Sequence, residues 1–261
     1  MIIVAILKHV AGKSADYGAA LDYLKYEHDE VLKRPLLDAN GNWVLRRDIL
    51  LEGINCEPEL FDVECEMLNA QYHKNQNYDE IKTHHYLISF DPADKDECGL
   101  TGEQAQAIGM EYVKANFPGH QALVCTHMDG HNGSGNIHVH IVINSLRKLN
   151  VPQQPFMERP IDCKAGYKHH LTKDYLKHLQ QSLMNICMRE SLNQVDLLSP
   201  SVNKITQQEY YAKQRGQINL DKLNAELIAE GFTPMKTKFQ TEKDKLRDSI
   251  TAAAKKAKSF E

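Results

Sequence analysis

Four of the chain's thirteen histidines, His127, His131, His138 and His140, fall within one short stretch, CTHMDGHNGSGNIHVHIVINSLRK. His138 and His140 are one residue apart inside an apolar run. In a strand, residues i and i+2 point to the same face. The two imidazoles therefore project together, while Val139, Ile141 and Ile143 point the other way into a core. His127 lies near the end of the preceding apolar segment. If the two segments pair around the Gly/Asn/Ser-rich turn, it approaches the pair across the sheet. Three imidazoles converging from adjacent strands form a half-built divalent-metal site with positions open for substrate or water. Asp129 at the turn is placed to orient one ligand imidazole, and His131 reads as a turn residue rather than a ligand. A single histidine on an apolar strand is ordinarily a hydrogen-bonded core residue. Neutral packing gains nothing from clustering three groups that repel once protonated, so metal binding is the better reading.

The elements that must carry these residues follow from periodicity. MIIVAILKHV suits a strand, and SADYGAALDYLKYEHDE suits a helix with Ser14 as N-cap and Leu21 and Leu24 among its apolar positions. DANGNWVL holds the Asn-Gly signal of a tight turn leading into a strand. Residues 57–74 read as a helix and THHYLISF as a strand. LTGEQAQAIGMEYVKANF opens on a capping box from Thr101 to Gln104. QALVCTHMD and NIHVHIVINS read as strands, a proline-bearing extended segment follows Asn150, and from His169 onward the pattern is mostly helical. The expected class is α+β: a central antiparallel sheet flanked by helices, with a largely helical C-terminal part.

At 261 residues, 42% hydrophobic and 25% charged, the composition is that of a soluble globular protein. No apolar run reaches the roughly 18–20 residues of a membrane span, so no membrane partner is expected. The six cysteines are scattered without a Cys-x-x-Cys pair, which points to reduced thiols and a cytoplasmic setting. The net charge of −4 is unevenly spread: 12 Lys and Arg stand against 8 Asp and Glu after residue 200, and 19 against 27 before it. The basic C-terminal fifth permits a nucleic-acid surface. The expected division is a catalytic domain over 1–200 and a helical, basic extension over 201–261, packed on it or following it. The Lys/Ala-rich ending suggests the front portion of a longer protein.

The order His127-x-Asp129, then His138-Val139-His140, then Asn144 resembles a motif of the HUH endonucleases, in particular the relaxases, the mobilisation nucleases of conjugative elements. HHYLISFDP with LTGEQAQAIGMEYV, with His85 and Ser89 in matching places, is similar to the family's His-x-x-x-Ser-Phe strand and the helix after it. NKITQQEYYAKQRGQ is similar to a later segment of MOBP-type relaxases of Gram-positive mobile elements. The resemblance implies a relaxase palm-like fold, with His127, His138 and His140 holding Mg²⁺ or Mn²⁺. It also implies a bacterial enzyme that nicks one strand at an origin of transfer through a covalent 5′-phosphotyrosine.

Such an enzyme needs a nucleophilic tyrosine, and the resemblance places it in ALDYLKYEHDE. At about 100° per residue, Tyr17 shares a stripe with Leu21 and Leu24 and reads as packing. Tyr23 and Tyr26 both lie off the stripe and can reach a surface site. The family's Tyr-Leu pair after an acidic residue matches Asp22-Tyr23-Leu24, which implies Tyr23 as nucleophile and Tyr26 as alternate. A tyrosine's ordinary pKa of about 10 means the attack needs help at neutral pH, with Asp129 one candidate to assist. Single-stranded DNA favours basic grooves with aromatic platforms. Arg46 and Arg47 beside Trp43, Arg147 and Lys148 after the histidine strand, and Lys168 near Tyr167 are the candidate contacts, with Lys164, His169 and His170 close by. The implied partners are origin-of-transfer DNA, single-stranded or hairpin, accessory relaxosome proteins and a coupling protein. The alternatives are an HUH replication initiator or transposase, which commonly carry the tyrosine downstream of the histidines, and a non-enzymatic metal-stabilised DNA-binding module.

Overall fold

Two runs of fully buried residues organise the molecule: strand β6 (His120–His127) and strand β7 (His138–Arg147), in which every position is buried. A strand buried throughout needs cover on both faces, and the rest of the chain supplies it. In this computed structural model, which describes residues 5–13, 16–29, 34–128, 136–194, 196–199, 207–234 and 238–258, the sheet has five strands. They are β1 (Ile6–Gly12), β4 (Ile49–Ile54), β5 (Thr83–Ser89), β6 and β7, with all neighbours antiparallel in the order β1-β5-β7-β6-β4. A separate short ribbon pairs β2 (His28–Asp29) with β3 (Arg34–Pro35). The class is α+β, as expected.

Helices α4 (Gly102–Asn116) and α5 (Lys173–Arg189) cover one face. Ile108, Tyr112, Val113, Leu179 and Leu183 pack there with Val139, Ile141 and Ile143 of β7. Helices α1 (Gly18–Lys25) and α2 (Phe61–Tyr72) cover the other. There Leu21, Leu24, Phe61 and Cys65 meet Leu123, Cys125 and Val142. The alternation along β7 thus sends its odd positions to α4 and α5, and its even positions, His138 and His140 among them, to α1 and α2. A short helix α3 (Pro92–Glu97) precedes α4. The capping box of α4 forms as read: Thr101 Oγ1 accepts from the Gln104 amide and Gln104 Oε1 accepts from the Thr101 amide.

Some elements differ from the sequence reading. The N-terminal helix is confined to Gly18–Lys25, with Tyr17 at its N-cap and no side-chain cap bond; Ser14 lies outside the described residues. The helix stops at Tyr26, whose backbone turns extended at ψ 152° and bridges Leu45. Contacts with a segment about twenty residues away override the local helical pattern here. The Asn-Gly turn forms, with Gly41 at φ +82° and Asp38 Oδ1 accepting from the amides of Asn40 and Asn42. It leads into single bridges at Trp43 and Leu45, and the strand itself begins only at Ile49. The helix expected over 57–74 is split into a 3-10 turn, Pro58–Leu60, and α2, which ends at left-handed His73 (φ +51°).

The chain folds as two compact units, one of Met1–Asp29 with Arg34–Pro200 and a second of Glu30–Lys33 with Ser201–Glu261. The second contains α6 (Gln207–Ala229) and α7 (Glu242–Lys258), with Lys213 paired to Asp244 at 2.6 Å. Among the described residues no helix is long and apolar enough to cross a membrane.

Candidate metal centre and nucleophile

The hairpin register sets His127 opposite His138 and Cys125 opposite His140. Directly opposed residues bring their β-carbons to about 5 Å, so the three rings crowd together. Their centroids lie 5.1 Å (His127–His138), 4.5 Å (His127–His140) and 4.9 Å (His138–His140) apart. Each ring offers one nitrogen, and these nitrogens all fall within 4.8 Å of one another, a group that could hold a metal ion. All three residues are buried, none more than 2% exposed. Charging one imidazole there would put an ion in a low-dielectric interior beside two like groups, so the neutral, metal-ligating form is favoured.

Each ring is also oriented by a neighbour. His127 Nε2 lies 2.9 Å from the Leu24 carbonyl at the end of α1. His138 Nδ1 lies 3.3 Å from the carbonyl of Asn136, whose amide donates to Ser89 Oγ. His140 Nδ1 lies 2.9 Å from His85 Nε2 on β5. Burial, reinforced by the Lys8 and His9 charges, pushes His85 down to about 4; as a neutral ring it can fix the tautomer of His140. The sequence named His85 only by resemblance and gave it no role. A signal was present, because His85 and Ser89 share a face of β5, and that face turns toward the triad.

Of the three tyrosines, the structure brings Tyr23 to the histidines. Its half-buried ring stands edge-on to His140 (5.6 Å, 78°) and His85 (5.8 Å, 74°), and it also touches His28 at 5.2 Å. Tyr17 is a packing residue, as its helical position indicated. It is 2% exposed, its hydroxyl accepts from Asn69 and Asn75, and burial pushes it up to about 12. Tyr26 caps the helix and sets its ring against Trp43. Asp129 and His131 lie outside the described residues.

The basic candidates scatter. Arg46 is buried, with Nε donating to the Tyr26 carbonyl at 3.1 Å, so it braces the helix end rather than facing solvent. Arg147 is also buried, and desolvation lowers its pKa. Lys148 is held by Glu64 at 2.7 Å and the Asn55 carbonyl. Lys168 is held by Glu80 at 2.7 Å. Arg47 is exposed. These residues do not form one groove around the triad.

Residues 44–151 match the nuclease domain of the relaxases, of the MobA/VirD2-like kind. Among curated relatives, one Staphylococcus aureus protein named Protein rlx is 27% identical over 152 residues, 58% of this chain and 40% of its own length. Another S. aureus Protein rlx is 26% identical over 176 residues, 67% of this chain and 44% of its own. The chain thus spans less than half the length of the curated relatives it matches. Among solved structures, the conjugative relaxase TrwC in complex with oriT DNA, in its metal-bound structure, is 12% identical. That alignment covers 96% of this chain and 98% of the other, at a TM-score of 0.39.

Proposed function

We propose that the chain is a relaxase that nicks one DNA strand at an origin of transfer and keeps that strand by a covalent bond to Tyr23. The observation that carries this reading is the edge-on contact of Tyr23 with His140, one of three clustered imidazoles, in a chain whose residues 44–151 match a relaxase nuclease domain. Tyr23 Oη attacks the scissile phosphorus. The P–O3′ bond breaks, the phenol proton passes to solvent or a nearby base, and the 3′-oxygen leaves as a hydroxyl. A 5′-phosphotyrosine conserves the energy of the phosphodiester, so a second transesterification can rejoin the strand.

A divalent ion at His127, His138 and His140 would polarise the non-bridging phosphate oxygens and offset the charge that builds up in the transition state. The donor set fits: three neutral imidazoles with nitrogens within 4.8 Å, each ring backed by a hydrogen-bonding neighbour. We assign Mg²⁺ or Mn²⁺ as the working ion, although three imidazoles favour Mn²⁺ and later transition metals over Mg²⁺. Leu24 and His85 hold the ligand rings, and helix α1 holds Tyr23 over them. Asp129 completes the proposed set as an orienting residue, with Tyr26 as the alternate nucleophile. We assign catalysis to residues 1–200, with 201–261 as a basic helical extension, acting in the bacterial cytoplasm with accessory relaxosome proteins and a coupling protein.

The test is a denaturing gel of the full chain with Mn²⁺ and a labelled single-stranded oligonucleotide spanning its transfer origin. A slower-migrating protein–DNA adduct is expected, lost in Tyr23→Phe and kept in Tyr26→Phe. An adduct in Tyr23→Phe would show that another residue attacks. Intact cleavage in the His138→Ala, His140→Ala double variant would remove the metal centre. Binding with no adduct under any condition would favour a non-enzymatic DNA-binding module.

A further inference from the structure

The segment around Tyr167 and Lys168 is laced to the last residues of β7. The Arg147 amide donates to the Tyr167 carbonyl at 3.0 Å and the His169 amide to the Ser145 carbonyl at 2.6 Å. Lys168 is thereby made a wall common to two cavities. The larger, of about 500 Å³, is bounded by His9, Asp79, Ile81, His84, Ser145 and His169. The smaller, of about 290 Å³, is bounded by Lys74, Arg159, Tyr167, Ile161 and Glu80. Neither includes a residue of the metal triad.

The chemistry of the two differs. The larger has a heteroaromatic wall: His9 Nε2 lies 2.9 Å from His84 Nδ1, and the His84 and His169 rings meet edge to face at 4.7 Å. Burial pushes His84 down to about 3, so this wall is uncharged at neutral pH. Uncharged rings flanked by aliphatic side chains suit the faces of a nucleobase. The smaller cavity carries three cations, Arg159 paired to Asp162 and Lys168 to Glu80, each at 2.7 Å, with Lys74 beside them and Tyr167 44% exposed. Lys74 is exposed and makes no ion pair among the described residues. Excess positive charge with an aromatic platform suits a phosphodiester backbone.

We propose that these adjoining cavities form a nucleotide subsite for unpaired DNA flanking the cleaved phosphate, base against the histidine wall and phosphates against Lys74, Arg159 and Lys168. This rests on the relaxase reading above. The subsite is separate from the metal centre. Its His84 and His9 lie on the α4/α5 face of the sheet, opposite the triad, since each shares a face with Tyr86. Ser145 follows His138 by seven positions on β7, about 23 Å at roughly 3.3 Å per residue. The occupant therefore lies several nucleotides from the nick.

The experiment is fluorescence anisotropy of the full chain with two labelled single-stranded oligonucleotides sharing one end, one long enough to span both regions and one that ends at the nick. Tyr167→Ala should weaken the long oligonucleotide about tenfold and leave the short one unchanged. Lys74→Ala should lower the slope of log affinity against log salt by about 0.7, the loss of one phosphate contact. An abasic site scanned along the long oligonucleotide should weaken binding at one distal position in the wild type, and that dependence should vanish in His9→Ala. Unchanged Mn²⁺ binding by calorimetry establishes that each variant is folded around the triad. Equal affinities and slopes for wild type and variants on the long oligonucleotide overturn the subsite and leave the relaxase reading standing. A wild-type chain that binds neither oligonucleotide removes that reading and the subsite with it.

Discussion

Gly109, midway along α4, sets how closely that helix lies on the strands that carry the triad. A β-carbon at this position would fall 2.6 Å from Val139 Cγ1 and 2.9 Å from Val124 Cγ1, against an optimal carbon–carbon separation of about 3.5–4.0 Å. Gly109→Ala therefore forces an opening of about 1 Å. Both valines are fully buried and β-branched, with little rotamer freedom, so the helix or the strands must move. Two effects oppose each other. Alanine in a helix interior gains about 1 kcal/mol over glycine, and overpacking a filled core costs about 1–3 kcal/mol. The expected net loss is up to about 2 kcal/mol, a fall in melting temperature of about 2–4 °C for each kcal/mol in a domain of this size. Val139 sits between His138 and His140, so Mn²⁺ affinity should fall as well. Urea denaturation of wild type, Gly109→Ala, Val139→Ala and the double variant measures this. The double variant should be more stable than the sum of the single losses predicts, because the smaller side chain relieves the clash. A double variant whose loss equals the sum of the two single losses would refute the close-packing account.

Removing the 2.9 Å contact between His85 and His140 in His85→Ala should lower Mn²⁺ affinity by about 10–100-fold in calorimetry, with His85→Asn recovering part of it; equal affinity in all three would show that His85 does not orient the ligand. His84 and His120 are each pushed down to about 3 from an ordinary 6.5, burial being the largest cause. Acid therefore protonates their unfolded forms first, and the stability they leave intact above pH 6.5 is lost as pH falls toward 3. The slope is up to about 1.4 kcal/mol per pH unit for each group. Denaturation of His120→Asn between about pH 6.5 and 5 should show a shallower pH dependence than wild type, and parallel curves would contradict the assignment.

Period-two patterning made much of the sheet legible. The alternation in HVHIVIN distinguished Val139, Ile141 and Ile143 from the histidines, and both sets lie on the faces the alternation gave them. What periodicity could not show is which residues meet across long separations. Helix α1 ends at Lys25, where Tyr26 pairs its backbone with Leu45, a contact absent from any local window. His85 reaches His140 across 55 residues and Leu24 reaches His127 across 103. The partners of the charges read as DNA contacts were hidden for the same reason. Lys148 and Lys168 find Glu64 and Glu80, 84 and 88 residues away, and Arg46 folds inward onto a carbonyl. A lysine's exposure is a property of the fold, and its neighbours in sequence carry little information about it.

One peptide bond joins the two halves of the proposed chemistry. Tyr23 presents its ring to His140, and the next residue, Leu24, presents its carbonyl to His127. Any tilt or translation of α1 is thus transmitted at once to the tyrosine and to one ring of the histidine cluster. If the proposed adduct forms, a pull on the DNA strand held by Tyr23 would load the same helix. Mechanical tension on the DNA would then act on the geometry of the metal site, making rejoining sensitive to whether the tethered strand is taut or slack.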